Sequence, residues 1–172
     1  MDEQVGYGLF QNLPENKNNL LSTRFRLLIK RLPVTTYMCQ SVVLPGLSIG
    51  VAYQNTRHNR ILRPAGEVSH QYLDATFIVD EDLSNWKEIR SWILQCSNYT
   101  DFTEYQQPSQ HFSDDVTLTI LTNTHNITHK VQFSNCFPVS LSEVLFDSSN
   151  PQSQVVIAKM SLAFSFYNIE TV

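Results

Sequence analysis

Five histidines and sixteen acids are the groups in this sequence that could hold a metal or move a proton. His125 and His129 are four residues apart, a spacing that puts two imidazoles on one face of a helix. Here the pair spans Asn123-Thr124-His125-Asn126, which reads as a hairpin turn, so the spacing joins nothing. Asp80, Glu81 and Asp82 are consecutive and could be offered as metal ligands or as an acid–base pair. They also directly precede a helical pattern, where acids cap the first turn and offset the helix dipole, the simpler role. Ser, Thr and Cys nucleophiles are present, but no GxSxG, P-loop or GxGxxG pattern accompanies them. The reading is therefore no enzyme: no catalytic, cofactor-binding or metal residues are assigned, and no cofactor is expected.

Aromatic rings and charge suggest contact with other molecules. Tyr53, Tyr99, Phe102, Tyr105 and Phe112 lie in segments with weak core periodicity, and only Tyr53 has bases near it, Arg57 and Arg60. A stacking platform for single-stranded nucleic acid needs such company, whereas aromatic enrichment alone fits the centre of a protein interface. Residues 1–66 carry a net charge of +5 and residues 67–172 carry −9, with no acid between Glu15 and Glu67. Two readings stand: solvated strand faces, or a molecule with one basic and one acidic end suited to head-to-tail association of like subunits.

These residues must be positioned by mainly β structure. Residues 24–32 (RFRLLIKRL) alternate as a strand with Phe25, Leu27 and Ile29 on one face, and Pro33 ends it. A second strand over 36–43 stops at Leu44-Pro45-Gly46. Residues 47–66 are basic and weakly apolar, a long exposed hairpin or loop around Tyr53 to Ile61 that closes at Pro64-Ala65-Gly66. Residues 71–79 form a strand. Residues 84–97 form the one convincing helix, with Trp86, Ile89, Trp92, Ile93 and Cys96 on a single stripe and Asp82 or Ser84 as cap. Residues 98–115 read as a loop, and 115–121 with 128–133 as a hairpin. Cys136-Phe137-Pro138 breaks the pattern before a strand over 139–145. After a turn at 147–151, a long last strand over 154–167 turns Val156, Ala158, Met160, Leu162, Phe164 and Phe166 to one side. The predicted fold class is an antiparallel β-sandwich or barrel with one flanking helix. It comprises a polar arm over 1–23 and one β domain over 24–172.

Composition bounds the rest. The 172 residues suit one domain, and 42% hydrophobic content suffices for a core. No apolar run reaches the ~20 residues of a membrane helix, and the first residues lack the form of a signal peptide, so a cytoplasmic chain without membrane contact is expected. Three cysteines without a CxxC pair read as small buried hydrophobes.

Taken in order, the landmarks resemble the tail tube family of contractile-tailed bacteriophages, including its tube-initiating baseplate members. The residues that carry the likeness are CQSVVLPGLSIG (39–50) followed by YQNTRHNRILRPAGE (53–67), then YLDATFIVDEDLSNWKEIRSWI (72–93), then NCFPVSLSEVLFDSSNPQSQVVIAKMSLAFSFYNIE (135–170). The resemblance implies a structural virion subunit, assembled in the host cytoplasm. It implies six copies in a homohexameric ring, with rings stacked into a tube through whose lumen DNA passes without specific binding. Implied partners are further copies of itself, the tail sheath protein, baseplate hub proteins and the tape-measure protein. An acid-rich lumen would let DNA slide without sticking. The expected ring interface sets Tyr53, Arg57, Arg60 and Arg63 against acids such as Asp80, Glu81, Asp82, Asp114 or Asp147 of a neighbour. The polar arm and the aromatic 98–112 segment depart from a plain tube subunit and suit a specialised ring at the baseplate end. Two readings from other classes stay open: a soluble β-sandwich module that binds carbohydrate or peptide, and a small nucleic-acid-binding barrel.

Overall fold

A computed structural model describes residues 18–97, 114–149 and 155–172. Most of the arm, the loop aromatics Tyr99, Phe102, Tyr105 and Phe112, and the turn at Asn150-Pro151 lie outside these residues.

The described chain holds nine strands and two helices: β1 (Phe25–Ile29), α1 (Pro33–Tyr37), β2 (Cys39–Val43), β3 (Leu47–Asn55), β4 (Arg60–His70), β5 (Leu73–Ile78), α2 (Ser84–Ser97), β6 (Asp114–Leu121), β7 (Ile127–Leu141), β8 (Ile157–Ala163) and β9 (Phe166–Thr171). All pairings are antiparallel. One layer runs β1-β6-β7-β9 and the other β7-β8-β5-β2, so β7 belongs to both, while β3 and β4 form a separate ribbon. The mainly β sandwich expected from the alternating segments is what forms.

Alternation sets the core. Leu27 and Ile29 of β1, Val116 and Leu118 of β6, and Val131 and Phe133 of β7 face Leu73, Ala75 and Phe77 of β5 and Ala158, Met160 and Leu162 of β8. Helix α2 closes one side with Ile89 and Trp92 buried and Trp86, Ile93 and Cys96 packed behind them, the stripe its spacing predicts. The Trp86 indole N–H donates to the Ser142 carbonyl at 3.2 Å, and the Arg31 guanidinium lies 5.1 Å from the centre of a Trp92 ring.

Four sequence expectations fail for local reasons. Thr36 and Tyr37 belong to α1, not to a strand: Pro33 at the first turn presets helical φ, and Thr36 is held to Ile29. The Asn135-Cys136-Phe137-Pro138 stretch does not break β7. Asn135 takes a left-handed φ of 56°, the inward face moves from Val131 and Phe133 to Cys136 and Pro138, and the strand bends into the second layer, ending at Leu141 rather than running on to Leu145. The last strand is two strands, because a bend at Ser165 carries the chain from β8 in one layer to β9 in the other, leaving Phe166 exposed while Tyr167 packs inward. The cap of α2 is Asp80 rather than Asp82 or Ser84. A tight turn (Leu83 N–H to Asp80 C=O, 3.0 Å) brings its carboxylate under the helix, where Ser84 Oγ and the Asn85 N–H donate to it. Those bonds hold its pKa below the ordinary value.

Cys136 is buried in the core as expected, whereas Cys39 and Cys96 are only partly buried against it. Burial pushes the Cys39 thiol up to about 11 and the Cys136 thiol up to about 12. At pH 8 the thiolate fraction of Cys136 is then roughly a thousandfold below that of an unperturbed thiol. Iodoacetamide should leave Cys136 unmodified in the native protein over hours and label it within minutes in guanidinium. Rapid native labelling would contradict this placement.

Candidate functional site

The β3–β4 ribbon is exposed at every residue, although its sequence is not that of a solvated element. Cross-strand register places Leu47 opposite His70, Ile49 opposite Val68, Val51 opposite Pro64 and Tyr53 opposite Leu62. Paired residues share a face of a ribbon, so one face is apolar from Leu47 to Tyr53 and Leu62, bounded by His70 at the root and by the polar pair Asn55 and Arg60 at the tip. The other carries Ser48 with Ser69, Ala52 with Arg63, and Gln54 with Ile61. Tyr53 is 63% exposed and Leu62 64%.

The ribbon is braced at both ends. At its root His70 packs edge-on against Phe164 and Tyr167, at 5.6 and 5.7 Å between centroids, and the Gln71 N–H donates to the Gly46 carbonyl. At its tip Thr56 and Asn59 bond across the turn, Thr56 N–H to Asn59 C=O at 2.8 Å. Pro64-Ala65-Gly66 does not close the segment as the sequence suggests. It forms a bulge inside β4 opposite Gly50, possible because Gly66 takes φ = 80°.

Tyr53, Arg60 and Arg63 lie on this ribbon and Arg57 at its tip, with Tyr53 and Arg60 on one face and Arg63 on the other. The Arg60 guanidinium stands 5.4 Å from the centre of the Tyr53 ring, and Arg63 Nε donates to Gln54 at 3.1 Å. Asp80, Glu81 and Asp82 stand apart from them, in the turn before α2. Asp80 is engaged in capping, Asp114 accepts from the Arg31 N–H and Asp147 from Ser149, while Glu81 and Asp82 are exposed. His125 and His129 are separated in use. The first shares a hydrogen bond with Arg24 at 2.7 Å, the second with Thr171 at 3.3 Å.

A second feature is the layer β7-β8-β5-β2, which among the described residues ends in two open margins: β2, paired there only to β5, and the Phe137–Leu141 half of β7, paired there only to β8. Pro138 lacks an N–H and stands where a margin tolerates that loss. The outward face of this layer carries Ser41, Thr76, Ser140 and Ser161 around one ion pair, Asp74 to Lys159 at 2.7 Å, with Val43, Ile78, Ile157, Phe137 and Ala163 beside them. Burial alone would raise the Asp74 pKa, but Lys159 and Ser161 outweigh it and hold it below the ordinary value. The pair therefore supports the fold at neutral pH and stops doing so as pH falls through that lowered pKa.

Sequence reasoning missed the apolar ribbon face and the open margins. The signal for the first was present: Leu47, Ile49, Val51 and Tyr53 alternate without a break.

This arrangement is one met in known proteins. The chain is 28% identical over 139 residues, 78% of each chain, to the tail tube terminator protein of Enterobacteria phage T4. Its fold is similar to the tube terminating cap of the anti-feeding prophage (TM-score 0.64, 15% identity, 96% of this chain and all of that one). It is also similar to a subunit of the extended sheath–tube complex of the PVC extracellular contractile injection system (TM-score 0.61, 17% identity, 91% and 94%). The family model described as phage tail tube protein matches residues 17–170, so the chain belongs to the phage tail tube protein family and is a structural component of the virion tail.

Proposed function

We propose that this chain is the terminator of a contractile tail tube, a ring of identical copies that ends tube growth. The observation that carries the assembly reading is the fully exposed β3–β4 ribbon with one apolar face. A lone two-stranded ribbon is marginal in water, and its face calls for a neighbour. Joining the β2 margin of one copy to the Phe137–Leu141 margin of the next is a head-to-tail contact that closes into a ring and leaves neither margin of that layer open. Six copies match the number the family resemblance implies. The hydroxyl-rich outward face of that layer then lines the lumen. It is charge-balanced rather than acid-rich, and carries no basic patch to retain DNA. The ribbon tip, with Arg57, Arg60 and Arg63, reaches Glu81 and Asp82 of a neighbour, a contact that salt weakens. The likeness in sequence to the T4 terminator favours the terminating ring over a baseplate initiator. Sheath, baseplate hub and tape-measure proteins are the further partners of such a tail.

The test mixes purified chain with polymerising tube subunits of the same phage. Substoichiometric protein should shorten the tubes in proportion to its amount. A variant carrying Arg57→Glu, Arg60→Glu and Arg63→Glu should need at least tenfold more protein at low salt. Tube lengths unchanged by the natural chain would overturn the terminator reading, and equal potency of the variant would overturn the basic-tip contact.

A further inference from the structure

A groove of about 910 Å³ opens between β1 and β2, walled by Phe25, Leu27, Pro33, Tyr37, Cys39 and Val42, with Arg26 on the same lining. Tyr37 stands at its edge, 82% exposed. A second exposed apolar feature follows directly on the opposite margin of the β7-β8-β5-β2 layer. Beyond Leu141 the chain continues as Ser142-Glu143-Val144-Leu145-Phe146-Asp147, with Leu145 80% and Phe146 76% exposed between two acids. The root of this segment is fixed. The Ser142 N–H donates to the Lys159 carbonyl at 2.8 Å, and the Ser142 carbonyl accepts from the Trp86 indole.

We propose that Leu145 and Phe146 of one copy fill the β1–β2 groove of the adjoining copy, with Glu143 and Asp147 facing its Arg26. The proposal rests on the ring reading above, and it leaves β2 itself to the Phe137–Leu141 strand. Strand direction brings the two features together. Each neighbour in the layer is antiparallel, so β2 and β7 run in opposite senses. Cys39 is level with Phe77 and Ala158, at the end of the layer where Leu141 is level with Met160 and Ser142 reaches Lys159. In a ring all copies stand at one height. The chain leaving Leu141 therefore arrives beside Cys39 and α1 of its neighbour, where Tyr37 and Pro33 form the upper wall of the groove. Four residues separate Leu141 from Leu145, a reach of ~13 Å against the ~10 Å between packed sheets, so the segment can pass from the β2 layer into the gap. Charge agrees: no acid occurs between Glu15 and Glu67, the stretch that builds the groove, whereas the entering side chains are framed by Glu143 and Asp147.

The test uses the full-length protein in a Cys39→Ser, Cys96→Ser background, which leaves only the core thiol of Cys136. Tyr37→Cys and Phe146→Cys together should give, under mild oxidation, a ladder of disulfide-linked species up to the closed ring on a denaturing gel. A mixture of the two single variants should stop at dimers, since each chain then carries one half of the junction. Native mass spectrometry reads ring formation in the same samples. Separately, Leu145→Asp with Phe146→Asp should raise the dissociation constant of the ring contact at least about tenfold, with circular dichroism unchanged because both side chains are exposed in the single chain. Rings without the Tyr37–Phe146 link, or an unchanged constant for the aspartate variant, would overturn this seating and leave the ring reading in place. A monomer at every concentration would overturn both.

Discussion

Replacing Val51, Tyr53 and Leu62 together with serine should leave the folded domain intact and abolish its assembly. All three are more than half exposed in the single chain and lie on the apolar face of the β3–β4 ribbon. None belongs to the buried core. Covering a half-exposed side chain of this size contributes about 1 kcal/mol. Losing three contributes about 3 kcal/mol per contact, or ~100-fold in its constant. A ring repeats the contact at every junction, so the loss compounds. Circular dichroism and the denaturation midpoint should stay near those of the natural chain, while electron micrographs lose their rings. An unfolded variant would mean that the ribbon is part of the domain's own core, and retained rings would mean that its apolar face lies outside the contact.

Trp92→Ala should cost about 3–5 kcal/mol of folding stability, the range for emptying a large aromatic site. Trp92 is 1% exposed and among the largest fully buried side chains, with Arg31 against its ring. At 2–4 °C per kcal/mol for a domain of this size, the melting temperature falls by roughly 10 °C. A urea titration reads the loss directly, with Lys87→Ala on the exposed side of the same helix as the reference that shifts little. A loss below ~1 kcal/mol would show that α2 does not anchor the two layers.

The two predictions separate what one chain does for itself from what copies do for each other, and that division also explains what was legible in the sequence. Ile89 and Trp92 announce α2 because a buried helical face needs a 3.6-residue period. Leu27, Ile29, Ala158, Met160 and Leu162 announce strands because a half-buried sheet needs a period of two. The failures occur where the chain passes between layers. Asn135 and Ser165 each displace the alternation by one residue, and an inserted residue cannot be told from a break without knowing the partner strand. Thr36 was lost to a strand because a five-residue helix is too short to show a period. The arginines at the ribbon tip were found as a charge run, but the apolar face behind them was not. Leu47, Ile49, Val51 and Tyr53 have the pattern of a strand packed on a core, and the described residues supply no core for them. Asp80, Asp114 and Asp147 also accept hydrogen bonds within their own chain, partners that the sequence alone does not show.

The central claim is that the apolar ribbon and the open margins of the β7-β8-β5-β2 layer are completed by identical copies. Cryo-electron microscopy of the purified full-length protein tests it most directly. The expected map is a closed ring in which β2 of each copy pairs with the Phe137–Leu141 segment of the next and the ribbon's apolar face is covered. A solitary molecule at high concentration, with Tyr53 and Leu62 in solvent and both margins unpaired, would contradict it.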